Sequence, residues 1–280
     1  MPEKIIDLFS NKFAVSFILL LILWLWESWQ PFFEAGKRRY WHAIQNLSLS
    51  LSNTLIIGLI FSSAVILIAT WTTSQQFGLL NNIGISQPAK FVLALIILDG
   101  WIYLWHRLNH VVPFFWRFHR THHTDNKMDV TTTSRFHLVE QIFSATIRLA
   151  LIPILGLDIN HLIVYDTLLI INTQLHHSNI SYGRWDKYLR CVIVTPDMHK
   201  IHHSRWQPET DSNYSVILSI WDRLARTFRM RSDLKSIEFG LEDFDDERWQ
   251  SFWGMLKTPF VTMKQNVDKQ VSDSKPSTNQ

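Results

Sequence analysis

The chain has 280 residues, a formal net charge of +3, and 18% charged against 47% hydrophobic residues. A single cysteine excludes an intrachain disulfide framework, a four-cysteine iron–sulfur cluster and a CxxCH haem attachment. Neither GxGxxG nor GxxxxGK occurs, and Lys and Arg scatter instead of forming a stripe, which excludes the common nucleotide loops and argues for anionic lipid headgroups and against nucleic acid.

The first apolar run, Phe13–Trp26, gives way to Glu27, Ser28, Trp29, Gln30 and Pro31, with no small-residue cleavage site. It therefore reads as a retained membrane helix. No Asp, Glu, Lys or Arg occurs from Trp41 to Ala89, and Leu47–Trp71 within that stretch is a second span. Gly78–Pro88 is a turn region. Phe91–Trp105, interrupted by Asp99 and closing in the interfacial composition WIYLW, is a third span. Val139–Leu155 and Ile159–Ile171 flank Gly156-Leu157-Asp158 and are broken by Glu140, Arg148 and Asp166. Neither is convincing as a full span, and together they predict a helical hairpin that dips into the bilayer.

The expected fold is all-α: a polytopic membrane bundle of about three spans plus a helical hairpin, carrying a cytoplasmic histidine-box cap. Residues 1–90 would anchor the chain, 91–235 would form a di-metal catalytic domain, and 236–280 a polar extension with a disordered tail from about residue 263. Lys37, Arg38 and Arg39 put the first loop in the cytoplasm by the positive-inside rule. Parity returns Arg107, Arg117, Arg120, Lys127 and Arg135 to the same side. A bacterial inner membrane is expected, or the endoplasmic reticulum in a eukaryote.

Ten of the 13 histidines fall in two windows, 106–123 and 176–203. On a helix, residues three and four apart share a face, so His106 with His110, His119 with His122 or His123, and His199 with His202 or His203 can each converge on one centre. Adding His176 and His177, eight to ten imidazoles exceed the needs of one ion and suggest two. Imidazole suits iron, copper, nickel and zinc alike. HExxH is absent, and no acid/base carboxylate lies inside the histidine motifs, which favours oxygen chemistry over hydrolysis. His42 beside Trp41 reads as an interfacial residue, His161 as structural or solvated, Cys191 as a small hydrophobe, and Asp222–Arg223 as a local ion pair anchoring a turn.

The motifs D99-GWIYLW-H106-R-x-x-H110, H119-R-x-H122-H123 and T195-P-D-M-H199-K-I-H202-H203 resemble those of the fatty acid hydroxylase/sterol desaturase superfamily of integral-membrane di-iron enzymes. R135-F-H137-L-x-E140, H176-H177-S-N179, D211-S-N-Y214 and W221-D222-R223-L extend the resemblance from about Asp99 to Phe228. It implies that His106, His110, His119, His122, His123, His199, His202 and His203 hold two iron ions, with zinc as a substitute. At least one of His176 and His177 joins them. Some relatives have HxxxHH in the middle box, where this chain has Asn172. Asp99, His137, Glu140, Asn172 and Asp197 are the candidates for supporting the ligands from behind. The implied activity is O2-dependent hydroxylation or desaturation at an unactivated C–H bond of a fatty acyl, alkyl-lipid or sterol substrate. With no cofactor motif in the chain, electrons would come from a ferredoxin- or cytochrome-type donor with its reductase. The rival readings are a zinc-dependent membrane hydrolase and a bis-histidine haem electron carrier.

Overall fold

The computed structural model describes residues 2–34 and 36–263; the tail expected at the C-terminus lies, from residue 264 onward, outside the described residues. The architecture is helical, and among the described residues the only extended pairings are the isolated bridges Ile193–Leu218 and Ser204–Phe239. Six main helices run in chain order: α1 (Pro2–Trp29), α2 (Arg39–Ser74), α3 (Gln87–Val111), α4 (Pro113–His123), α5 (Leu138–Leu155) and α6 (Ile159–His177). Five short ones follow: α7 (Asp186–Leu189), α8 (Pro196–His202), α9 (Gln207–Thr210), α10 (Ile220–Leu224) and α11 (Phe252–Lys257).

Among the described residues, four helical stretches are long and apolar enough to cross a membrane: Lys12–Trp29, Arg39–Asn82, Gln87–Val111 and Leu138–Leu155. The last is the first arm of the expected hairpin, and the hairpin goes deeper than the sequence implied. Gly156 ends α5 with a left-handed φ of 81°, and Asp158 caps α6 by accepting from Asn160 and His161. That tip sits against the α2–α3 connection: the Asn81 amide donates to the carbonyls of Phe77 and Gly156. A Cβ on Gly78 (φ 105°) would come within 2.3 Å of the Gly156 nitrogen. The hairpin therefore reaches the end of the bundle remote from the histidines, where Leu80, Ala94, Ile152, Leu157 and Leu162 share one core. His161 joins the Asp158 cap, as its structural reading anticipated.

At 36 residues, α2 is about 54 Å long, well beyond the ~30 Å of a hydrocarbon core. Its two halves divide the work. His42, Ala43, Gln45, Asn46, Leu49 and Asn53 are buried against the histidine region, whereas Leu55, Leu59, Ile60 and Leu67 are exposed and apolar.

Candidate metal centre

The sequence explains why the ligand-bearing helices start where they do. Pro113 opens α4 with its fixed φ, and Thr195 caps α8 by accepting from the Met198 amide, with Pro196 at the first helical position. His106 and His110 occupy the last turns of α3, and His176 and His177 close α6.

These elements bring nine histidines into two buried groups. His106, His110, His119, His123 and His202 form one; His122, His177, His199 and His203 form the other. Within each, one ring nitrogen per residue lies within 4.8 Å of all the others. Each HxxHH box is divided between the groups. On α4 the i,i+4 pair His119/His123 faces the first and His122 the second; on α8, His199/His203 face the second and His202 the first. Helical spacing alone leaves open which of His122 and His123 pairs with His119, and which of His202 and His203 pairs with His199, so this crossing was not foreseen. His177 is the middle-box residue within a group. His176 lies outside both, its ring 4.0 Å from that of His199 and its buried Nδ1 without a hydrogen-bond partner.

The imidazoles are turned by what holds their outer nitrogens. Nδ1–H donates from His106 to the Tyr214 carbonyl (2.8 Å), from His119 to Glu140 (2.8 Å), from His177 to the Thr173 carbonyl (2.7 Å) and from His202 to the Ser212 carbonyl (2.7 Å). This leaves the Nε2 lone pair facing inward, as in histidines that ligate metals. The Nε2 atoms of His122 and His199 each stand 3.0 Å from Nε2 of His177. Nε2 of His119 and His202, and both ring nitrogens of His110, His123 and His203, are buried without a hydrogen-bond partner. A buried group left unsatisfied costs about 1–3 kcal/mol, so such a concentration fits donors arranged for a cation. Burial, reinforced by neighbouring imidazoles, holds His122, His123, His199 and His203 well below the usual histidine range and pushes His202 down to about 3. They are neutral at physiological pH, the form that ligates. Two ions suit this donor set.

Of the five supporting candidates, Glu140 alone makes direct contact with a clustered histidine. Asp99 instead accepts from Trp221 Nε1 (2.7 Å), the Leu218 amide (3.0 Å) and Tyr165 (3.4 Å). Asp197 takes Ser181 (2.7 Å) and the buried Lys200 (3.2 Å). His137 caps α5 through the Val139 amide, and the Asn172 amide turns back to the Leu168 carbonyl of its own helix. D211-S-N-Y214 holds support that the sequence reading quoted without assigning. Asp211 stands 3.5 Å from His110, and the Ser212 and Tyr214 carbonyls take His202 and His106. Asn213, at φ 53°, locks the turn through the Met198 and Arg229 carbonyls.

His42 is not interfacial: it is buried and donates to Asp125 (2.9 Å) and Asp129 (3.3 Å), with the Asn46 amide nearby. Asp222 and Arg223 do not pair with each other. Asp222 accepts from the Tyr214 and Ser215 amides and Thr227, while Arg223 reaches the carbonyls of Ser219 and Arg190.

Residues 91–227 match the family model "Fatty acid hydroxylase". An ornithine lipid hydroxylase of Rhizobium tropici is 30% identical over 152 residues, covering 54% of this chain and 45% of that protein. Human alkylglycerol monooxygenase is 26% identical over 251 residues, 85% of this chain and 51% of its own. Rat cholesterol 25-hydroxylase is 25% identical over 237 residues, 82% and 76% of the two chains. The chain thus spans about half the length of the first two. No solved structure gives a significant match.

Proposed function

Residues 91–227 belong to the fatty acid hydroxylase family, and on that premise we propose that the chain is a membrane-bound di-iron, O2-dependent lipid hydroxylase. The observation that carries this reading is the pair of histidine groups, whose buried and largely unpartnered nitrogens supply donors for two ions. His106, His110, His119, His123 and His202 would hold one ion, and His122, His177, His199 and His203 the other. Iron held there would supply the oxidation of an unactivated C–H bond by O2.

The chain's own residues do the holding and the shielding. Glu140 and the Tyr214, Thr173 and Ser212 carbonyls keep protons on the outer nitrogens, so each inner nitrogen stays a donor. Phe136, stacked on His122 at 4.4 Å, and Trp116, 5.0 Å from His110, keep bulk water from the imidazoles. The relatives' names, which specify an ornithine lipid, alkylglycerol and cholesterol, support a lipid substrate and favour hydroxylation over desaturation. The sequence has no nucleotide loop, so the electrons would come from a separate ferredoxin- or cytochrome-type donor with its reductase. Lys37, Arg38 and Arg39 lie at the start of α2, the end that packs on the histidine region, which supports a cytoplasmic site.

Metal analysis with oxygen uptake tests the proposal. Two iron ions per purified chain and lipid-dependent O2 consumption are expected. One zinc per chain with lipid hydrolysis and no O2 uptake would establish the hydrolase instead, and a Soret band the haem carrier. His202→Ala and His203→Ala should each weaken retention of a different ion.

A further inference from the structure

We infer that residues 185–192 and 217–224 form a re-entrant foot, immersed in the leaflet on the histidine side and rimmed by cations that recruit anionic lipid. The inference goes beyond the proposed activity and does not depend on which metal the histidines hold.

The foot sits deep alongside α3. From Tyr214, whose carbonyl takes His106, the chain descends alongside α3 until Leu218 and Trp221 both donate to Asp99. Asp99 lies seven residues before His106, about 10 Å further into the span, and close to the middle of α3. A Cβ on Gly100 would meet the Trp221 ring at 3.2 Å. At this level the descending strand pairs with the end of the other segment: Ser219 donates to the Val192 carbonyl (3.1 Å) and Val194 to that of Ile217 (2.9 Å). A segment packed at the midpoint of a membrane helix shares its hydrocarbon surroundings.

The polar backbone of the foot is satisfied from within the protein. Irregular backbone survives at membrane depth only where its polar groups are met by protein. The Ser219 hydroxyl and Arg223 both donate to the Arg190 carbonyl (2.7 and 2.8 Å), Arg223 also takes the Ser219 carbonyl (3.0 Å), and Asp99 takes the Leu218 amide. Asp99 is thereby explained as the anchor of this foot.

The composition of the foot is interfacial. Trp185, Tyr188, Leu189, Val192, Ile220 and Leu224 are exposed, Val192 at 62% and Leu224 at 69%. Arg184 and Lys187 lie against the Trp185 and Tyr188 rings at 5.5 and 4.8 Å. Aliphatic tips, an aromatic belt and cations able to snorkel to headgroups together match an interfacial element facing an anionic surface. A soluble partner would need the tips of Val192 and Leu224 to stand in water until it bound.

Cys191, the sole cysteine and exposed within the foot, permits a test without mutation. The full chain would be labelled there with a bimane probe in detergent and reconstituted into phosphatidylcholine/phosphatidylglycerol vesicles. Doxyl-labelled lipid should quench the probe several-fold more than aqueous iodide does. Quenching by iodide alone overturns the inference, as does a probe shielded only when a soluble protein or a second copy binds. The double variant Arg184→Glu/Lys187→Glu should lose phosphatidylglycerol that co-purifies with the chain. Unchanged co-purification, with the fold intact by circular dichroism, would remove the cationic rim from the proposal.

Discussion

Glu140 shows how a single residue can tune the centre. Its carboxylate accepts from His119 Nδ1 at 2.8 Å, fixing the tautomer that presents Nε2 to the first group. Removing such a partner typically weakens metal binding roughly 10–100-fold. Glu140→Ala should therefore lose metal to a competing chelator at correspondingly lower concentrations, while Glu140→Gln, which still accepts through its amide oxygen, should fall between. The neutral histidines set a pH response in the metal-free chain. His122, His123, His199, His202 and His203 have folded-state pKa values depressed below the unfolded value of 6.5. The unfolded chain therefore binds more protons as pH falls below 6.5. Each such histidine therefore removes stability as pH falls through that window, down to its folded pKa, about 3 for His202. Thermal unfolding of metal-free protein should move to lower temperature from pH 7 to pH 5, and also on the alkaline side as pH rises toward about 10, where His42, raised by Asp125 and Asp129, gives up its proton. The histidines were legible because their chemistry resides in residue type and local spacing. His42 was not, because its partners Asp125 and Asp129 lie more than eighty positions away.

Among elements, the hairpin of α5 and α6 is the most informative. Its sequence looked too polar to span, since Glu140, Arg148 and Asp166 interrupt it. Those charges are spent inside the protein: Glu140 on His119, and Arg148 and Lys12 on Asp166 at 2.6 and 3.2 Å. Hydropathy registers the charge and misses the partner. The tip depends on two glycines in close opposition. Gly78→Ala and Gly156→Ala each place a Cβ on a residue with positive φ, against backbone or amide atoms 2.3 to 2.9 Å away. Backbone strain of this kind costs about 1–3 kcal/mol per residue. Both variants should lower the unfolding temperature in detergent, and Gly84→Ala, which meets nothing within 4 Å, should not. The short helices escaped the sequence reading for a related reason. Stretches of four or five residues such as α7, α9 and α10 are too brief for a periodicity and exist because of what they pack against.

Over the whole molecule, the bundle and the candidate metal centre are one object. The first four turns of α2 bury their inner face against the histidine region, α1 lends Glu27 to the amides of Val130 (2.8 Å) and Asn179 (2.6 Å), and α6 carries His177. Removal of bound metal should therefore be felt globally. A chelator should lower the unfolding temperature of the entire chain in one cooperative transition, and restoring iron should return it. Two well-separated transitions would show instead that residues 1–90 and 91–235 behave as independent units. The sequence foretold the bundle and its cap in outline, because apolar runs of span length and clustered histidines are local signals. How the two interlock depends on contacts across the chain.

The crossing of the two HxxHH boxes has a consequence for biogenesis. Each group draws on both α4 and α8, so neither can be completed before the chain has been synthesised through His202 (His203 for the second) and α8 has docked beside α4. Membrane insertion of α1 to α3 and any metal loading would therefore be sequential events: a nascent chain stalled before residue 195 would hold a finished anchor and no complete histidine group. Because both centres close with the same docking step, full occupancy of one reports that the scaffold of the other is already in place.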